Sequence, residues 1–154
     1  MKVLVLGIGN LLLSDEGIGV HAVNALLRDY QIPEGVEVID GGTSGMELLT
    51  FIAKADHLII LDAVKTGQAP GTLIRLDGEQ VPTFFRTKVS PHEIGLSDVL
   101  AAAHLTGEQP DNLTLFGIEP ANLELGLELS DKVASQVTHL VEQVKEELER
   151  LGFS

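Results

Sequence analysis

The chain has 154 residues, of which 44% are hydrophobic and 21% charged, a balance typical of one globular domain with one core. Its formal net charge of −13 argues against binding to a phosphate backbone, so we expect no nucleic-acid partner. It contains no Cys, which excludes disulfides, thiolate metal ligands and a cysteine nucleophile, and is consistent with the cytoplasm. No apolar run approaches the roughly 20 residues that span a bilayer. We interpret the apolar N-terminal stretch as a strand and its turn, not a signal peptide.

Apolar runs typical of strands alternate with helical patterns, without a repeat or a dividing linker, and this predicts a single domain over residues 1–154. The predicted strands are 3–6, 36–39, 57–61, 72–76 and 113–118. The predicted helices are 17–30, 46–53, 94–104 and 131–151, the last with Ser130 or Asp131 as its N-cap. Residues 81–89 are expected to be extended or irregular.

The order of these elements predicts an α/β fold. Only a short loop joins the third and fourth strands, too short for a helical crossover, so the fourth strand is expected to be an antiparallel edge. The fold class is therefore a single doubly wound, mostly parallel sheet with helices on both faces. We expect flavodoxin-like layering of the phosphorylase/hydrolase-like kind.

Unusual polar residues follow the predicted strands at their carboxyl ends, where ligands bind in open α/β sheets. Glu16 follows the first strand and its turn, Asp40 follows the second strand, and Asp62 the third. His92 precedes the helix predicted at 94–104. We expect a common rim to bring these four side chains together, although they lie far apart in the sequence.

Several familiar sites do not fit the sequence. The dinucleotide fingerprint needs a third glycine where Leu12 stands, and a P-loop needs glycine where Val64 stands. A zincin needs a second histidine where Leu96 stands. The nucleophile elbow Gly-x-Ser-x-Gly is absent, and so is the pepsin-type Asp-Thr/Ser-Gly, because Gly41 follows Asp40.

Two carboxylates and one imidazole remain. Glu16, Asp62 and His92 form an O,O,N set that suits a divalent metal such as zinc or nickel and leaves a coordination position open. Such a metal polarises a carbonyl or lowers the pKa of a bound water. The spacing alone leaves another interpretation open, in which Glu16 only complements the dipole of the following helix.

Five segments in order resemble the hydrogenase maturation endopeptidases, and the likeness spans nearly the whole chain. They are GIGNLLLSDEGIG at 7–19, DGGTSGMELL at 40–49, HLIILDA at 57–63, SPHEIGL at 90–96 and LFGIEP at 115–120. The resemblance is to the type that processes a hydrogenase-2 large subunit. One such motif is weak evidence, whereas five in register are specific.

The resemblance implies an aspartic-type endopeptidase that removes the C-terminal extension of a nickel-loaded [NiFe]-hydrogenase large-subunit precursor. It carries the metal-contacting and catalytic positions onto Glu16, Asp62 and His92, and substrate choice onto Asp40 with the adjoining Gly41 and Gly42. The substrate supplies the nickel, and the free enzyme need not hold a metal. Either Asp62 or Glu16 is the candidate general base, and a carboxylate that firmly ligates metal cannot readily serve in that role.

Two other functional classes stay open at this point. One is a nucleotide- or small-ligand-binding module on the same scaffold, and the other is a nickel-binding chaperone that does not cut. Among the remaining histidines, His21 is a possible fourth ligand, but its helical spacing from Glu16 favours a surface or core position. We expect His57, at the opposite end of its strand, to be structural.

Overall fold

The computed structural model describes residues 1–87 and 94–153, and five strands in this part of the chain form one sheet. The strands are β1 (Val3–Ile8), β2 (Val36–Gly42), β3 (His57–Ala63), β4 (Leu73–Asp77) and β5 (Asn112–Ile118). Their order across the sheet is β2-β1-β3-β5-β4. β4 pairs with β5 in the antiparallel direction, whereas the other neighbours are parallel. The predicted doubly wound, mostly parallel sheet with one antiparallel edge is confirmed.

Six helices and two 3₁₀ turns complete the described part of the chain. The helices are α1 (Ile18–Asp29), α2 (Leu49–Ala53), α3 (Gln80–Thr87), α4 (Ile94–Leu105), α5 (Asp131–Ala134) and α6 (Val137–Arg150). The 3₁₀ turns, Ser14–Gly17 and Met46–Leu48, directly precede α1 and α2. Within the described residues, no helix is both long and apolar enough to cross a membrane.

Alternation along the buried strands produces two apolar layers, one on each face of the sheet. In β1, Val3 and Val5 pack with α1 and α6, whereas Leu4 and Leu6 pack with α2, α3 and α4. β3 divides in the same way, with Ile59 and Leu61 on the first face and Leu58 and Ile60 on the second. Helices therefore cover both faces, as predicted.

Two predicted elements differ from the structure. Residues 80–87 form α3 and are not extended. Pro82 lies in the first turn of α3, where a missing N–H costs the helix little. The single helix predicted at 131–151 is also wrong, because residues 135 and 136 separate α5 from α6. At this break the Ser135 hydroxyl donates to the Lys132 carbonyl at 2.9 Å, a local hydrogen bond that competes with regular helix.

Candidate active site

The carboxyl ends of β1, β2, β3 and β5 lie at one edge of the sheet, called here the carboxyl edge. The 3₁₀ turn Ser14–Gly17 joins β1 to α1 at this edge and contacts β3. This contact places Glu16, from the turn, beside the strand that carries Asp62. The structure thus brings together the ends of the two elements that sequence patterns selected.

Glu16 is buried, with only 4% of its surface exposed. Its backbone N–H donates to the Leu13 carbonyl at 3.2 Å. The backbone of Gly9 lies so close to Glu16 that a Cβ on Gly9 would be 1.9 Å from the Glu16 carbonyl oxygen. The φ angle of Gly9 is +135°, a region that other residues rarely adopt. Any side chain at position 9 would therefore displace the backbone that carries Glu16.

Asp62 lies inside β3, one residue before its end, and is fully buried. Its Oδ1 accepts a hydrogen bond from the backbone N–H of Ala63 at 2.8 Å. The first turn of α1 approaches the same strand very closely, since a Cβ on Gly19 would lie 2.0 Å from the Leu61 carbonyl oxygen. This close packing fixes the start of α1, and with it Glu16, against the end of β3.

His92, the third member of the predicted ligand set, lies outside the described residues. Among residues 1–87 and 94–153, no three or more His, Cys, Asp or Glu side chains form a group that could hold a metal ion. Neither Asp40 nor His21 therefore completes a three-residue group with Glu16 and Asp62. The donor types remain suitable, because carboxylate oxygens are common ligands of divalent metals.

Asp40 is exposed near the end of β2, an outer strand of the sheet. It pairs with Gly7, while the next residue of β1, Ile8, pairs with Gly42, so Gly41 is an extra residue in β2. A Cβ on Gly41 would lie 2.8 Å from a methyl group of Leu6, and Gly42 has a φ of +49°. The two glycines thus serve close approach and positive φ, respectively.

His21 lies on α1 and is partly buried. Its Nε2 is buried and has no hydrogen-bond partner within the described ranges. Burial lowers the pKa of His21 and favours the neutral imidazole. Partial burial on α1 agrees with the surface or core position expected for His21.

Asp15 is a functional candidate that sequence analysis missed. It is fully buried, and its Oδ2 accepts hydrogen bonds from the backbone N–H groups of Ala121 and Asn122, at 2.8 and 2.9 Å. Ser130 adds its backbone N–H to Oδ1 and its hydroxyl to Oδ2, both at 2.8 Å. Burial by itself would raise the pKa of Asp15, but these hydrogen bonds hold it below its usual value. Asp15 therefore ties the turn that contains Glu16 to residues 121–130.

Glu119 plays a similar part beyond β5. It is buried, and its Oε1 accepts hydrogen bonds from the Thr66 backbone N–H and hydroxyl, both at 2.8 Å. The Gln68 N–H donates to the same oxygen at 3.2 Å. These bonds hold the pKa of Glu119 below its usual value although burial opposes this. Glu119 thereby orders the loop that follows the strand of Asp62.

No sequence signal short of the fold could identify these two carboxylates, because their partners lie far away along the chain. The Ser130 side chain illustrates the difficulty. It occupies the N-cap position of α5, as predicted, yet its hydroxyl bonds Asp15 and makes no cap hydrogen bond.

Comparison with known proteins identifies the family to which this chain belongs. The family model of the hydrogenase maturation protease, HycI, matches residues 20–147. The hydrogenase 2 maturation protease of Escherichia coli is 49% identical over 153 residues, covering 99% of this chain and 93% of its own length. The chain belongs to the hydrogenase maturation protease family and is an endopeptidase.

Solved structures agree with this assignment. The hydrogenase maturating endopeptidase HybD from E. coli is similar with a TM-score of 0.96 and 48% identity, covering 100% of this chain and 96% of that one. The [NiFe] hydrogenase maturation protease HybD from Thermococcus kodakarensis has a TM-score of 0.78 and 28% identity, covering 95% and 98%. The expected family and fold are therefore both confirmed.

Proposed function

We propose that this endopeptidase removes the C-terminal extension of a nickel-loaded [NiFe]-hydrogenase large-subunit precursor, and that residues 1–154 act as one protease domain in the cytoplasm. The observation that carries the proposal is the pair of buried carboxylates, Glu16 and Asp62, on neighbouring elements of the carboxyl edge. The names of the similar proteins support the substrate class, because they refer to maturation of hydrogenase 2 and of a [NiFe] hydrogenase.

The proposed role of Glu16 and Asp62 is to contact the nickel that the precursor already carries. His92 would supply the nitrogen donor of the same set. Nickel is part of the substrate in this proposal, so cleavage would report that metal loading is complete. Contact through these side chains would fix the scissile peptide against the rim and polarise its carbonyl.

The nucleophile is proposed to be water, and this fits an aspartic-type peptidase. The chain has no Cys and no Gly-x-Ser-x-Gly elbow. Asp62 or Glu16 would accept the proton of the attacking water, and the one that does so would be the carboxylate less tightly engaged by metal. A proton held there would then be available to the leaving amine.

Substrate choice is proposed to involve Asp40, Gly41 and Gly42. Asp40 is exposed, and Gly41 creates the extra residue that bends β2 at this point. An exposed carboxylate on a fixed bulge is placed to select among precursors by charge. Asp40 lies two strands away from Asp62 in the sheet, so it would select a part of the precursor other than the metal.

The test is the intact mass of a nickel-loaded large-subunit precursor of E. coli hydrogenase 2, before and after incubation with the enzyme. We expect loss of a C-terminal peptide with the wild type and no loss with Asp62→Asn. Nickel-free precursor should stay uncut. Equal cleavage of loaded and nickel-free precursors would refute metal recognition. A loaded precursor that binds but keeps its mass would support the chaperone role instead.

A further inference from the structure

Five exposed leucines lie on two hydrogen-bonded segments, the first of which leads into the turn of Glu16. They are called here the leucine platform, which consists of Leu11, Leu12, Leu123, Leu125 and Leu127. Its members come from two segments, one directly before the turn of Glu16 and the other after β5. Leu125 is 84% exposed and Leu12 is 55% exposed. Exposed apolar patches rimmed by polar residues mark interaction sites in soluble proteins.

Hydrogen bonds hold the two segments of the platform together. The Gly126 N–H donates to the Leu12 carbonyl at 2.8 Å, and the Ser14 N–H donates to the Gly126 carbonyl at 2.9 Å. Leu13 and Gly126 form a parallel bridge, so Leu12 and Leu125 are neighbours in register. The Ser14 hydroxyl adds a bond to the Glu124 carbonyl at 2.8 Å. The leucines are therefore presented on an ordered backbone.

The platform is mechanically joined to the active-site turn. Ser14, which bonds the second segment through its backbone and its hydroxyl, has a φ of +53°, a conformation that is uncommon outside glycine. The next residue, Asp15, accepts the hydrogen bonds from residues 121, 122 and 130 described above. A protein segment seated on the platform would thus lie next to the turn that carries Glu16.

The sequence of the second segment explains why its leucines need a partner. Residues 123–129 read LELGLEL, an alternation that normally indicates a half-buried strand. Only Leu129 packs against the core, whereas Leu123, Leu125 and Leu127 are exposed. The segment forms only a bridge at Gly126, with bends on either side, and leaves these three leucines exposed.

Charge restricts what can cover this face. Glu124 and Glu128 are exposed between the leucines, and residues 10–17 and 122–131 include no Lys or Arg. A second copy of the chain would bring the same acidic groups and its own net charge of −13, so self-association is opposed. A complementary partner is apolar and carries basic side chains.

We propose that the leucine platform docks an apolar segment of the large-subunit precursor that carries basic residues, and so places the scissile region at Glu16 and Asp62. This inference rests on the proposed function. It adds a binding surface outside the carboxylates themselves. Docking that contributes equally to the bound substrate and to the transition state lowers KM and leaves the chemical step to the carboxyl edge.

Matched leucine substitutions test the platform. In Leu12→Ser and Leu125→Ser, KM for the nickel-loaded precursor should rise about tenfold each with kcat retained, since an apolar contact is lost. The controls are Leu27→Ser and Leu105→Ser, because these leucines are 47% and 84% exposed but lie at or near the ends of α1 and α4, towards the amino ends of the strands that follow. Their KM should stay unchanged.

Charge reversal tests the chemistry of the partner. Glu124→Lys and Glu128→Lys should raise KM, and raising the salt concentration should increase the KM of the wild type, because screening weakens the attraction. Glu146→Lys, an exposed position on α6, is the control. Reversal without an effect on KM would refute the basic character of the docked segment.

Binding measurements separate failure of docking from failure of the proposed function. Affinity for the labelled precursor is measured in an Asp62→Asn background, alone and combined with Leu125→Ser. One outcome is that the wild type does not cleave the precursor while Leu125→Ser still weakens binding. In that case docking stands and the proposed function fails. If the wild type cuts and all leucine variants keep its KM, docking is refuted. A wild-type dimer that Leu125→Ser converts to a monomer in sedimentation experiments would assign the surface to a second copy and also refute docking.

Discussion

At the amino end of the sheet, the buried Glu147 carboxylate meets the guanidinium groups of Arg75 and Arg150. At the carboxyl edge, buried Asp15 and Glu119 are held by backbone N–H groups and hydroxyls, and within the described ranges neither makes an ion pair. The two ends of one sheet therefore keep buried negative charge in different ways. One neutralises it with cations, and the other stabilises it with dipoles.

The difference has a functional consequence. A carboxylate neutralised by arginine has little remaining attraction for another cation, whereas one held by neutral donors keeps its full charge. The carboxyl edge thus has a fixed anionic character at the place where Glu16 and Asp62 lie. This is the electrostatic environment that an incoming divalent metal on a substrate would require.

The amino end has the features of a structural network. His57 is buried there, and its Nε2 lies 3.1 Å from the Thr114 hydroxyl, which donates to Asp77 at 3.1 Å. Because that hydroxyl hydrogen is used on Asp77, His57 must be the donor through Nε2–H, which assigns its neutral tautomer. The expected structural role of His57 agrees with this arrangement.

The sharpest test of the comparison exchanges one buried glutamate at each end. Glu16 is 4% exposed and Glu147 is 5% exposed, so Glu16→Gln and Glu147→Gln are matched in burial and chemistry. We expect Glu16→Gln to lower kcat/KM for the loaded precursor about a thousandfold, because a charge at the proposed reacting centre is lost. Glu147→Gln should retain cleavage while losing stability. Equal activity of the two folded variants, measured by precursor mass and circular dichroism, would remove the distinction between the ends.

The next largest effect concerns Asp15. An Asn at this position keeps one oxygen that accepts hydrogen bonds from Ala121, Asn122 and Ser130. Its amide nitrogen cannot accept a hydrogen bond, so the donors that face it lose their partner. We expect Asp15→Asn to reduce the free energy of unfolding by about 3 kcal/mol. Urea denaturation measures this, with the exposed Asp29→Asn as the control expected to change little. A loss no larger than that of the control would show that the dipoles do not stabilise this charge.

Asp15 also makes an acid-dependent contribution. Its folded-state pKa lies below the unfolded value of about 3.9, so the unfolded chain binds a proton first as the pH falls. The stabilisation is present above that unfolded value and is lost as the pH decreases through the folded pKa. The Asn variant should lack this part of the acid unfolding profile, whereas Asp29→Asn should keep it.

A smaller effect is expected at the amino end from Arg75→Met. Arg75 bridges Asp77 and Glu147 at 2.9 and 3.0 Å, and its guanidinium lies 5.2 Å from the centre of the Phe116 ring. Because Arg150 still partners Glu147 and the methionine keeps apolar contact, the loss should be about 1–2 kcal/mol. Precursor cleavage should be unaffected. A strong fall in kcat with the fold intact would contradict a purely structural amino end.

Local sequence patterns predicted the sheet because the features that define its strands are determined within a few residues. The continuous apolar runs of β1 and β3 follow from burial on both faces, and the short loop before β4 forces an antiparallel edge. Asp62 was selected as a candidate for the same reason, since it is a charge at the end of an apolar run. Glu16 was selected from the turn that follows β1, and the roles of both stay predictions.

Other features depend on distant parts of the chain and could not be read locally. Asp15 is as acidic as its neighbour Glu16, and only the fold shows that its partners are residues 121–130. The exposure of Leu123, Leu125 and Leu127 is another such feature, because alternation in a sequence does not tell which face is covered. Residues 80–87 were expected to be extended or irregular, but they form α3, and Pro82 lies in its first turn, where a missing N–H costs the helix little.

The smallest expected effect is the pH dependence that His57 introduces at the amino end. Burial lowers its pKa; Glu147 and Asp77 act to raise it, and Arg75 and Arg150 to lower it. With a folded pKa below the unfolded value of about 6.5, the unfolded state takes up the proton first as the pH falls below that value. Stability should therefore decrease from pH 7 to pH 5, and His57→Gln, whose amide can still donate to Thr114, should flatten that slope in urea denaturation at each pH. His104→Gln, an exposed histidine on α4, should leave the slope unchanged. If the slope is unchanged in His57→Gln, the titrating group lies elsewhere. The next group to replace is then His21, because burial lowers its pKa as well.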